Sequence, residues 1–335
     1  MRPFINKYPA ASLINFLMDI GIDTYVGSSG KIFPVKGIKP IQVLKAIQNR
    51  MEESGVKILT RAQWLTTEGV TVSVMHDGDK KEMISDIVVY AMGGASWSKT
   101  GSDGKWLSMF QKMGVDTIPF SPSNAGIKIN WKRSFLNKWS GAPIKNIELT
   151  CGRQIFKGEI LITDYGMEGP PVYAINHCLR NKENSGRFQI NLIPGISEKQ
   201  YHRAIQALKT SRSTSTILRS VLNLSPVKMD LIRDLLSKDQ YQDRGKILSH
   251  LKDLALQSHG FAPIDEAIST VGGVSIDSVD ENLKIKGKNE HYIIGEMLDW
   301  DAPTGGYLLQ ASYSMAAFLA EHLKNTHKNK RLLPI

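Results

Sequence analysis

Cysteine is nearly absent. Cys151 and Cys178 are the only two in 335 residues, too few for a disulfide framework or a four-thiolate zinc site, and they read as two ordinary thiols. The eight histidines stand singly, with no His-Glu-x-x-His and no Cys-x-x-Cys pattern beside them, so no metal site is expected. No apolar run reaches the roughly 18 residues of a membrane span. The opening MRPFINKYP also lacks the apolar stretch of a secretory signal, so a cytoplasmic protein without a membrane partner is expected. A net charge of +10 would suit a nucleic-acid binder, but residues 119–262 carry all of the excess and the remainder is balanced. There Lys199, Arg203, Lys209, Arg212 and Arg219 are interleaved with Asp230, Asp234, Asp239 and Asp243. That mixture reads as a solvated helical face and argues against a nucleic-acid partner.

The length exceeds one average domain, and the texture along the chain changes twice. Residues 11–20, ASLINFLMDI, have helical apolar spacing and run into Gly21. A second helix is predicted over Pro40 to Ser54, ending at Gly55, with a strand at Val56 to Leu59. Residues 70–75 and 82–92 flank the turn HDGDKK and predict a hairpin whose second arm continues as an apolar strand to Gly93-Gly94. A helix over 102–113 follows, capped by Ser102 or Asp103. From Pro119 the short strands IKINW, IELTC, EILIT and FQINLIP predict a small barrel or sandwich, and three or four charged helices follow between Ser197 and Ser258. α/β texture then returns, closing with a helix from Thr304 to Lys324.

Two stretches carry chemistry. HYIIGEMLDWDAPTGGYLLQA is a strand ending in Gly-Glu, then a loop, then Pro-Thr-Gly-Gly opening a long helix. Unpaired N–H groups and the positive dipole end at such a helix start favour an anion, although Thr304 and the glycines also read as a cap and a turn. VVYAMGGASWSKTGSDG is a second strand opening into glycines. It is no nucleotide-triphosphate loop, because Ser98 stands before Lys99-Thr100 where that loop needs glycine.

Together with VGSSGKIFP (26–34), ITDYGMEG (162–169) and PIDEAISTVGGV (263–274), these blocks resemble the FAD-binding flavoproteins related to aminoacetone oxidase and the bile-acid-pathway NAD(P)/FAD-dependent oxidoreductases. The resemblance implies an α/β chain with a split Rossmann-like FAD-binding domain, 1–118 and 263–335, interrupted by an inserted β-barrel-like and helical domain, 119–262. It implies that Ala91, Gly93, Gly94, Gly295, Glu296 and Asp299 lie along FAD. Thr304, Gly305, Gly306 and Tyr307 would meet the flavin ring, with Gln310 just inside the helix. Lys31 could polarise an anion or carbonyl, and Tyr165 and Glu168 could close over the site; each also reads as an ordinary turn residue. The implied reaction is hydride transfer between flavin and a small organic substrate, with oxygen or NAD(P) as redox partner, which needs no nucleophile–base pair. Members of that family open with a strand, a Gly-x-Gly-x-x-Gly turn and a helix that cradle the pyrophosphate. The pattern occurs nowhere in these 335 residues. An N-terminally truncated flavoprotein with impaired FAD binding is therefore expected, the alternative being an inactive remnant or binding module.

Overall fold

The computed structural model describes residues 1–28, 30–181 and 185–330, with side chains to Thr326. Ser29 of the GSSGK turn lies outside the described residues. The chain forms two compact units. One comprises Met1–Ala95, Lys99–Phe120 and the chain from Val271 onward; the other comprises Ser96–Ser98 and Ser121–Thr270.

The first unit begins with α1 (Arg2–Lys7), α2 (Ala10–Asp19), an antiparallel hairpin of β1 (Thr24–Val26) and β2 (Ile32–Pro34), and α3 (Pro40–Glu53). Gly21 (φ +78°) and Gly55 (φ +78°) end α2 and α3 in the left-handed conformation, as their positions in the sequence suggest. The strand expected at Val56 to Leu59 does not form. Among the described residues no strand pairs with this segment, and Val56, Ile58 and Leu59 stay exposed. A three-stranded antiparallel meander follows, β3 (Ala62–Glu68), β4 (Thr71–His76) and β5 (Asp79–Ile84), turning at Asp77-Gly78. The expected second hairpin arm is thus two strands. β5 stops at Ile84, and β6 (Val88–Tyr90) belongs to a different, parallel sheet. The helix expected over 102–113 shortens to α4 (Leu107–Lys112). Asp103 Oδ1 instead accepts from the Lys105 amide (3.1 Å), closing a turn before the helix. β7 (Thr117–Ser123) then leads toward the second unit.

That unit is a six-stranded antiparallel sheet with helices. Its elements are β8 (Ile127–Lys128), α5 (Arg133–Trp139), β9 (Pro143–Cys151), β10 (Gln154–Thr163), β11 (Gly166–Glu168), α6 (Pro170–Arg180) and β12 (Arg187–Asn191). After these come α7 (Glu198–Leu208), α8 (Thr214–Val221), α9 (Pro226–Leu235), α10 (Lys238–Gln242), α11 (Ile247–Lys252) and β13 (Leu254–Gln257). Strand order is β13-β12-β9-β10-β11-β8. The chain beyond β13 returns to β8: His259 N–H donates to the Lys128 carbonyl (2.9 Å) and Lys128 N–H to the Gly260 carbonyl (2.8 Å). The sheet therefore curls on itself, which removes its open edges. Alternation in β9 sends Ile147, Leu149 and Cys151 into a core shared with Ile160, Ile162 and Ile175. Ser197 and Ser237 cap α7 and α10 through their hydroxyls. Five helices occupy 198–252 where three or four were expected, since Ser213 and Ser225-Pro226 start extra ones.

The two cysteines correct the expectation of free thiols, because Cys151 and Cys178 form a disulfide. α6 packs on β9 and β10 and brings the two Cα atoms to 6.1 Å across 27 residues of sequence, within bridging range. Sequence spacing carries no such information.

The chain re-enters the first unit through β14 (Ser269–Val274), β15 (His291–Ile293) and α12 (Tyr307–Lys330). This unit's core gathers Tyr90, Trp106, Phe110, Ile293, Met297 and Met315. By contrast, Ile22 is the sole fully buried hydrophobic residue among described positions 1–60.

Candidate functional site

β6 and β15 run side by side in parallel, with Val88, Val89 and Tyr90 opposite His291, Tyr292 and Ile293. In open α/β sheets ligands bind beyond the carboxyl ends of such strands, and here each strand is followed within three residues by a glycine, Gly93 or Gly295. After β6, Gly93 (φ +74°) turns the chain, and a Cβ on it would stand 3.2 Å from Ser102 Oγ. After β15, Gly295 (φ +77°) opens a 3₁₀ turn through Met297. The two ends are tied together by the Met92 amide, which donates to Met297 Sδ (3.0 Å). Trp300 Nε1 donates to the Gly295 carbonyl (3.1 Å).

At the other end of the sheet His291 is buried, its Nδ1 3.1 Å from the Tyr90 hydroxyl and its Nε2 2.7 Å from the Gly69 carbonyl. The carbonyl can only accept, so Nε2 carries the proton and Nδ1 accepts from Tyr90. Burial pulls the imidazole pKa below its ordinary value. His291 is thus a neutral structural pin, and the histidine count alone did not mark it.

The long helix starts at Tyr307, three residues later than expected. Gly305 (φ +119°) and Gly306 (φ +90°) lie outside the right-handed helical region, so Thr304 sits in the preceding turn and not at a cap. Gly305 is where two candidates from opposite ends of the sequence meet. The Lys31 chain lies against it, and a Cβ on Gly305 would stand 2.7 Å from Lys31 Cε and 3.1 Å from Nζ. Only glycine admits that contact at this φ. An ammonium thereby lies beside the positive end of a 24-residue helix, a combination suited to negative charge.

Asp299 and Gln310 are tied to backbone groups. Asp299 Oδ1 accepts from the Gly272 amide (2.9 Å) and its own amide donates to Val274 (2.8 Å), so it anchors β14. Gln310 Nε2 donates to the Tyr8 carbonyl and to Ser314 Oγ, both at 3.0 Å, and ties α12 to the end of α1. Ala91 and Tyr307 are exposed, Gly94 is buried and Glu296 is half-buried. Tyr165 and Glu168 belong to the second unit, where the Tyr165 hydroxyl donates to Glu168 Oε1. Burial and the adjacent carboxylate push the phenol well above its ordinary range. Gly126 makes room for the pair: a Cβ there would collide with the Tyr165 hydroxyl and stand 2.9 Å from Glu168 Cγ.

A cavity of about 630 Å³ adjoins the β6 turn, lined by Trp64, Met92, Gly101, Asp103, Lys105 and Trp106 among others. Lys105 pairs with Asp103 (2.8 Å) and holds that carboxyl below the usual carboxylate range. Trp106 is buried, and among the described residues its Nε1 has no hydrogen-bond acceptor. Sequence reasoning missed this cavity, although Trp64 and Trp106 were visible as isolated large aromatics.

The sequence profile of the HI0933-like protein Rossmann domain matches residues 1–322. The 3-dehydro-bile acid delta(4,6)-reductase of Clostridium scindens is 23% identical over 334 residues, covering 93% of this chain and 80% of the relative. The ribosomal RNA dihydrouridine synthase of Haemophilus influenzae is 23% identical over 332 residues, covering 94% and 80%. Among solved structures, 3-ketosteroid delta1-dehydrogenase from Sterolibacterium denitrificans, in complex with 1,4-androstadiene-3,17-dione, aligns with a TM-score of 0.43 at 12% identity. That alignment covers 85% of this chain, which spans 63% of that one. Mycobacterium smegmatis Sdh1 in complex with UQ1 aligns with a TM-score of 0.39 at 14% identity, covering 99% of this chain and 56% of the other. No described helix is long and apolar enough to cross a membrane. With a profile match over nearly its whole length and a mixed α/β architecture, the chain belongs to the HI0933-like family of Rossmann-domain proteins.

Proposed function

We propose that this chain is a flavin-dependent oxidoreductase that moves a hydride between FAD and a small organic substrate, with NAD(P) or oxygen as redox partner. The observation that carries the reading is Lys31 laid over Gly305 at the start of α12. The glycine turns that follow β6 and β15 suit a planar group lying against backbone. FAD would supply the hydride-accepting ring. The Lys31 ammonium and the α12 amides would hold negative charge on that ring, and Gly93 and Gly295 would let it approach the main chain.

The test is flavin titration of the purified full chain, followed by fluorescence quenching and equilibrium dialysis, then bleaching of the bound flavin by NAD(P)H. Saturable binding at one flavin per chain is expected. Gly305→Val strains a backbone at φ +119° and displaces the Lys31 chain, and it should weaken that binding by at least about tenfold, roughly 1.4 kcal/mol. Absence of saturable binding to the unaltered chain would refute the reading. An unchanged affinity in Gly305→Val would refute the ring placement.

A further inference from the structure

Trp64 also lines a second cavity, of about 380 Å³, formed by β3, the Gly69 turn, the end of α4 and the loop ahead of β15. Its aromatic wall is held in place. Trp64 Nε1 donates to the Oγ1 of buried Thr67 (2.8 Å), and the indole packs against Tyr90 and Phe110 with ring centroids 5.3 and 5.6 Å away. Met109 and Met113 add adaptable apolar surface, and Thr66 adds a hydroxyl.

Two ammonium groups from distant parts of the sequence line this cavity, Lys112 from α4 and Lys288 from the loop. Lys112 is not spent on capping its helix: the Met109, Phe110 and Gln111 carbonyls accept from the amides of Met113, Val115 and Gly114, each at 3.0 Å. Lys288 stands near enough to His291 for its charge to act there. Burial, then the Lys288 charge, lowers the imidazole pKa, while the bond to the Gly69 carbonyl opposes them. Among the described residues the wall's carboxylate is that of exposed Glu68, so cations outnumber anions. Aromatic and apolar walls with a few polar groups, in a volume between about 300 and 1,000 Å³, are the usual form of a small-molecule site.

We propose that this cavity binds a small aromatic phosphate monoester, with its ring against Trp64 and the two methionines and its phosphate held by Lys112 and Lys288. Such a phosphate carries about −1.5 to −2 charges at neutral pH, which two ammonium groups match, and Thr66 supplies a further donor. The site is independent of the flavin reading, since it uses neither Lys31 nor the glycine turns.

The purified full chain is titrated with phenyl phosphate, inorganic phosphate and phenol by isothermal calorimetry. We expect one saturable site for phenyl phosphate, at least about tenfold tighter than for either fragment. Lys112→Gln and Lys288→Gln should each weaken phenyl phosphate by about threefold to fivefold and leave phenol unchanged. The unaltered protein gives a second readout: an anion beside Lys288 offsets its field, so saturating phenyl phosphate should raise the His291 pKa followed by NMR of the imidazole. Absence of saturable binding, inorganic phosphate binding as tightly, lysine variants that bind phenyl phosphate as well as the parent, or an unmoved His291 pKa would overturn the proposal.

Discussion

Lys228 is a cation buried in the second unit, and replacing it by methionine has a calculable pH signature. It lies on α9, 7% exposed, and its Nζ donates to the Asn146 carbonyl (2.8 Å) and the Leu192 carbonyl (2.6 Å). Both partners are neutral, and burial lowers the ammonium pKa from 10.5 to about 8. Below that value both folded and unfolded chains carry the charge, and the folded one bears its desolvation. Between about 8 and 10.5 the folded chain releases the proton while the unfolded chain keeps it, so the unfolded state binds more protons and stability rises with pH. The span corresponds to roughly 3 kcal/mol. At neutral pH, Lys228→Met relieves a buried charge but orphans two carbonyls, at about 1–3 kcal/mol each, so the two effects nearly offset. The informative quantity is the difference between the two proteins' unfolding free energies, measured by urea denaturation from pH 7 to above 10. Titrations common to both cancel, and the variant should fall behind by roughly 3 kcal/mol across the window. Parallel pH profiles would refute the account of Lys228 as an uncompensated buried charge.

Cys151→Ser with Cys178→Ser opens a loop of 27 residues, a loss of about 3.6 kcal/mol from chain entropy; calorimetry should show the second unit melting about 10 °C lower. Gly126→Ala drives a methyl into Tyr165 and Glu168 and should cost about 1–3 kcal/mol, read by denaturant unfolding. Glu168→Gln removes the carboxylate that helps hold Tyr165 protonated, so ultraviolet titration should show one tyrosine ionising at lower pH. His291 has a depressed folded pKa, so its contribution is present above about 6.5 and lost as pH falls through the folded value. His291→Gln should flatten the acid limb of the first unit's stability curve.

Helix α2, helix α3 and the curled sheet were legible because their cues are local: apolar spacing, a terminal glycine, period-two alternation in β9. Val56 to Leu59 has the composition of a strand, but a strand needs a neighbour and none among the described residues pairs with it. Residues 70–92 read as one hairpin because the break at Ser85 to Ile87 divides an antiparallel meander from a parallel pair, a distinction that alternation does not encode. The glycines at 93, 295, 305 and 306 were identifiable as site candidates, and all four take positive φ. Asp299 and Gln310 looked equally chemical and are engaged with backbone groups. A side chain's type does not reveal whether a nearby amide or carbonyl will claim it.

By itself the sequence determined the family, the α/β texture with an inserted β-rich segment, and the glycine positions at strand ends, since each is written in contiguous residues. Tertiary structure alone decided that Cys151 meets Cys178, that Lys31 lies on Gly305, that His291 is pinned between Tyr90 and Gly69, and that Lys228 is buried against the Asn146 and Leu192 carbonyls. Each is a contact between residues 27 or more positions apart, and such contacts exist only after the loops between them have closed.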